Sequence, residues 1–118
     1  MKPLLLALSL GLASAAQAGE QPAMECNIGA VDRVFGGGHW TVHGCSDGKH
    51  LAIVTRPGNP ATPYVFMIEM SDDGLFVSGD GDGDKKASDA AYADLEKLSD
   101  ADVRSLFAAT RVKSAERR

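Results

Sequence analysis

The sequence predicts an α+β domain: an antiparallel β-meander of about five strands followed by two short C-terminal helices packed on one face. Three observations carry this. Residues 24–78 alternate short β-rich runs with turns rich in Gly, Pro and Asp. After "SGDGDGDKK" (residues 78–86) the apolar spacing changes from a period of two to one of about 3.6. Strands therefore precede helices instead of alternating with them, which separates this class from βαβ folds.

The N-terminus stands apart from that domain. "MKPLLLALSLGLASAAQA" places Lys2 before an apolar run from Leu4 to Leu12 and ends in Ala16-Gln17-Ala18. That order of charge, apolar run and small residues is the pattern of a secretory signal peptide. The apolar run is shorter than the roughly 20 residues a spanning helix needs. Cleavage after Ala18 leaves 19–118 as a single domain, and Ala13-Ser14-Ala15 offers a second site. The expected destination is the periplasm or the medium, with no membrane span after cleavage.

The strands follow in order. "MECNIGAVDRVF" and "HWTVHGC" flank Gly36 to Gly38 and read as a hairpin with a glycine-rich turn. A turn centred between Phe35 and Gly36 sets Cys26 opposite Cys45 and Asp32 opposite His39. Cys26 and Cys45 are the only cysteines of the chain, and an exported protein is expected to join them. A loop of that size contributes roughly 3 kcal/mol. The spacing is not C-x-x-C, and a disulfide leaves no thiol for catalysis or metal binding. Asp47-Gly48 forms the next turn, and "HLAIVTR" is the third strand. "PGNPATP" has three prolines in seven residues and is read as a loop. "YVFMIEM" is apolar on both faces, Tyr64, Phe66, Ile68 and Met70 on one and Val65 and Met67 on the other, and so reads as a central strand. "LFVSG" returns as the fifth.

Two helices close the chain. Ala91, Leu95 and Leu98 share one spacing, with Ser88 read as the N-cap. Ser99 and Asp102 stand as a capping box with Asp in place of Glu, and Val103, Leu106, Phe107 and Thr110 mark the second helix face.

Charge narrows the partners. The precursor carries −4, and loss of Lys2 with the leader makes it −5. Residues 69–102 hold eleven acids and three bases, whereas residues 103–118 hold five bases and one acid. An acidic middle excludes a nucleic-acid surface, whose phosphates need cations. The basic end suits a helix C-terminus, where cations complement the macrodipole.

The candidate sites are few. Asp80, Asp82 and Asp84 occupy positions 1, 3 and 5 of a calcium loop, with Asp89 nearby. The pattern then breaks, because Lys85 stands where Gly is needed and Ala91 where the bidentate Glu belongs. Calcium is the one cofactor this stretch suggests; the competing reading is a strand-to-helix junction. "GCSDG" matches G-x-S-x-G and makes Ser46 a formal nucleophile, but that motif needs a strand, a sharp turn and a helix. His39 and His43 lie roughly 13 Å apart along one strand. His43 and His50 approach each other across the Asp47-Gly48 turn, and Asp32 with His39 reads as a surface pair. Trp40 belongs to the core with Val42. The function expected from this set is a small non-catalytic binding domain, a protein-binding accessory factor or inhibitor acting on a basic envelope or secreted protein. The alternatives are a calcium-binding module and a small serine hydrolase.

Overall fold

The computed structural model describes residues 23–116; the expected signal peptide lies outside them. Five antiparallel strands form one sheet in the order β1-β2-β3-β4-β5. They are β1 (Ile28–Phe35), β2 (Gly38–Gly44), β3 (His50–Thr55), β4 (Tyr64–Ser71) and β5 (Gly74–Gly81). Two helices follow, α1 (Lys85–Leu95) and α2 (Asp100–Glu116). Both pack on one face of the sheet, as the change of period predicts. No described helix is long and apolar enough to cross a membrane.

The core is the layer between sheet and helices. Trp40, Val42, Leu51, Ile53, Phe66 and Ile68 point from the strands to Ala91, Leu95, Val103 and Leu106 of the helices. Leu98 and Phe107 pack against the edge of this cluster. Trp40 is 1% exposed, and its Nε1–H donates to the Phe35 carbonyl at 3.2 Å. That bond removes the penalty of burying an indole N–H.

The first hairpin departs from the expected register. Gly36 and Gly37 both have positive φ, 60° and 80°, as a two-residue type I′ turn requires. The turn therefore centres one residue later, and Phe35 pairs with Gly38, Val34 with His39 and Asp32 with Thr41. Asp32 does not face His39; its carboxylate accepts from Arg56 Nη1 at 2.6 Å. The register shifts again between Ile28 and Val31, where Gly29 has φ of 70°. This irregularity absorbs the offset, so Cys26 and Cys45 still meet and form the disulfide.

Other boundaries also move. The N-cap of α1 is Asp84, whose side chain accepts from the Lys86 N–H. Ser88 is buried inside the helix, where its hydroxyl donates to the Lys85 carbonyl at 3.1 Å. The second helix is not short but 17 residues long. Its capping box forms in full: Ser99 N–H donates to Asp102 Oδ2 at 2.9 Å, and Asp102 N–H to Ser99 Oγ at 3.1 Å. The middle strand is β3, and β4 lies beside it toward the β5 edge.

Candidate protein-binding surface

The sheet has a second face that nothing among the described residues covers with a helix. Opposed residues of neighbouring strands share a face, so the pairing defines it row by row. One row runs Asp32, Thr41, Val54, Val65, Asp80. The next holds His43, Ala52, Met67 and Ser78, and a third holds His50, Glu69 and Phe76. Val34 is 56% exposed, Phe76 53% and Val54 36%. The second apolar side of "YVFMIEM" therefore does not face a covering layer. It forms the centre of an open surface, with carboxylates at the sheet margins.

The glycine–aspartate stretch has a structural cause. On β5, Gly79 lies opposite Phe66 and Gly81 opposite Tyr64, on the core face. A Cβ at Gly79 would stand 2.6 Å from a Phe66 ring carbon and 2.7 Å from a Tyr64 ring carbon. At Gly81 it would meet Pro63 and Tyr64, and at Gly83 the carbonyl of Ala61. The two rings lie 4.8 Å apart between centroids and occupy the space that side chains on β5 would need. Gly alternates with Asp because inward positions have no room, and Asp80 takes the solvated face. The chain then runs along the proline loop. Asp82 N–H donates to the Pro63 carbonyl at 3.0 Å and Asp84 N–H to that of Pro60 at 2.9 Å. Proline lacks a donor but keeps its acceptor, so this loop can receive the strand extension.

This arrangement spreads the four candidate calcium ligands over different tasks. Asp80 lies across from Val65. Asp84 caps α1, and Asp89 accepts two bonds from Lys85 Nζ, at 3.1 and 3.0 Å. Asp82 borders a cavity of about 290 Å³ with Tyr64, Lys85, Ser88 and Asp89. Among the described residues no three His, Cys, Asp or Glu side chains are gathered as a cation site.

His43, His50 and Ser46 lie at the other end of the sheet, whereas His39 stays at the proline-loop end, where its carbonyl accepts from Asn59 Nδ2 at 2.8 Å. Ser46 Oγ accepts from the Glu25 N–H at 3.1 Å, and Ser46 N–H donates to the Glu25 carbonyl at 2.6 Å. Ser46 thus ties down the segment that carries Cys26. His43 Nδ1 lies 2.7 Å from the Gly29 carbonyl. His50 Nδ1 lies 2.5 Å from Asp47 Oδ2, and Asp47 Oδ1 accepts from the Lys49 and His50 N–H groups at 2.8 and 3.0 Å. Partial desolvation pushes the Asp47 carboxyl up, but these backbone bonds and the imidazole outweigh it and hold its pKa below the ordinary value. Glu96 pushes the Tyr92 phenol up through its charge.

The uncovered face lay within reach of the sequence, because two apolar faces on one strand signal either burial on both sides or an exposed patch. The tie between Glu25 and Ser46 had no such signal. Protein-family models, curated proteins and solved structures offer no match to this chain.

Proposed function

We propose that this chain is a small exported domain without a catalytic centre of its own, and that it binds another protein through the uncovered face of its sheet. One observation carries the reading: Val34, Val54 and Val65 lie on an open face while the core is complete on the other side. Apolar patches rimmed by polar groups mark interaction surfaces. Glu69 and Asp80, both on this face, give the surface its sign, so the partner has a basic rim around an apolar centre. Such a partner belongs to the envelope or the medium, where a leader of the kind read at residues 1–18 would deliver this domain.

The test compares the native protein with Val54→Lys and Asp80→Lys, each immobilised and exposed to envelope extract at low salt. Val54 is partly exposed already, so a lysine there stays solvated and the domain keeps its melting temperature. The expected result is a protein retained by the native surface, lost with Val54→Lys, and weakened by Asp80→Lys and by added salt. Retention that is equal on all three surfaces would sink the proposal.

A further inference from the structure

A cavity of about 280 Å³ opens on the uncovered face at the disulfide end, lined by Met24, His50, Met67, Glu69, Phe76 and Ser78. Two methionines and one histidine are among its lining residues. We infer that this cavity is a site for a soft monovalent metal ion, Cu(I), held by the sulfurs of Met24 and Met67 and by Nε2 of His50.

Three features support the assignment. First, register places the ligands. His50 pairs with Glu69 and Ala52 with Met67, so His50 and Met67 are diagonal neighbours on one face. Diagonal positions on adjacent strands stand about 7–8 Å apart, within reach of long side chains. Second, the imidazole is oriented. Asp47 Oδ2 holds Nδ1 at 2.5 Å, and Nε2 has no hydrogen-bond partner among the described residues. A carboxylate on one ring nitrogen is the usual outer support of a metal-bound histidine, since it fixes the tautomer and raises ligand basicity. Third, Met24 is held over the face by its own chain. It lies two residues before Cys26, which is bonded to Cys45, and next to Glu25, which exchanges two hydrogen bonds with Ser46. Methionine 45% exposed at this position serves no core.

The donor set selects the metal. Thioethers are soft and favour Cu(I) over the hard cations that carboxylates and carbonyls take. Calcium and magnesium would find Glu69 as the single charged oxygen donor in the lining, far short of their needs. The Glu69 carboxylate instead offsets the charge of the bound ion. This site lies at the opposite end of the face from Val54 and Asp80, and its test needs no protein partner. Its failure and that of the protein-binding reading are therefore separable.

The experiment is an anaerobic titration of the purified, disulfide-intact protein with Cu(I) against a chromophoric Cu(I) chelator. One Cu(I) per chain is expected, with sulfur and nitrogen scatterers in the copper X-ray absorption spectrum. Met24→Leu, Met67→Leu and His50→Gln each weaken binding at least about tenfold, and Asp47→Asn weakens it about tenfold through the imidazole. Met70→Leu, on the core face, leaves binding unchanged. Circular dichroism confirms that each variant is folded, and the absorption spectrum of the native protein needs no variant at all. Absence of competition with the chelator, binding indifferent to both methionine changes, a first shell without sulfur, or Zn²⁺ bound as tightly as Cu(I) would each overturn the assignment.

Discussion

Gly83 sits where a methyl group has nowhere to go. The nearest atom to a Cβ there is the backbone carbonyl oxygen of Ala61, and Ala61 is fully buried. Backbone cannot step aside as a flexible side chain can, so Gly83→Ala is expected to cost about 1–3 kcal/mol by overpacking. Asp80→Ala, one strand position of the opposite parity, is expected to change stability by less than about 0.5 kcal/mol. Urea denaturation of the two variants distinguishes a steric role for the glycines from an ionic role for the aspartates. Asp47 gives a second test at this scale. Its pKa is lower folded than the ordinary 3.8. A carboxyl of that kind contributes stability that is fully present above its unfolded pKa. The contribution is lost as pH falls through the folded one. Asp47→Asn should therefore lower stability near neutrality, where the contribution is fully present, and flatten the acid limb of the stability–pH curve below about pH 4. An unchanged acid limb would count against the hydrogen-bond account of Asp47.

At the level of elements, caps and turns decide where the pieces sit. Ser99 and Asp102 satisfy each other's N–H groups at the start of α2, the element that packs on β1 and β2. Ser99→Ala is expected to cost about 1 kcal/mol, read as a lower thermal midpoint with the secondary structure intact. The contact between α1 and the first turn is tighter still. Gly36 N–H donates to Asp94 Oδ2 at 2.6 Å, and a Cβ at Gly36 would collide with the Ala90–Ala91 backbone. One glycine thus serves both the positive φ of the turn and the approach of the helix. The sequence marked the capping box because its partners are three residues apart. It misplaced the α1 cap because Ser88 and Asp84 both satisfy the local rule. The choice between them rests on the Pro60 carbonyl, which accepts the Asp84 N–H from a distant loop.

For the molecule as a whole, one disulfide closes the open end of a single-layer core. Cys26 and Cys45 are 19 residues apart in sequence, and their bond restrains the denatured chain as well as seating the N-terminal segment. The double variant Cys26→Ser, Cys45→Ser is expected to lose roughly 3 kcal/mol. For a domain near 100 residues that lowers the melting temperature on the order of 15 °C. A loss below about 1 kcal/mol would mean that the Glu25–Ser46 hydrogen bonds alone hold the segment. The buried asparagine of the proline loop works in the same global way. Asn59 donates to the His39 carbonyl at 2.8 Å and accepts from Ala61 N–H at 2.9 Å, so a loop with no ladder of its own is fixed to β2.

The sequence by itself determined the class, the strand order of the meander, the disulfide, the core position of Trp40 and the faces of both helices. Each of these follows from local chemistry: a period, a turn residue, a pair of cysteines. Tertiary structure alone decided the register of the first hairpin, because the Gly36-Gly37 turn, held against α1, centres the pairing one residue later and the irregularity near Gly29 restores the cysteine pairing, neither of which changes the alternation that sequence displays. It also decided the meaning of "SGDGDGDKK". Spacing along the chain suggested carboxylates converging on a cation. The aromatic rings of β4 and the carbonyls of the proline loop lie far away in sequence and fill the inner side of that stretch. Those neighbours require glycine inward and leave aspartate outward, and no reading of the stretch in isolation contains them.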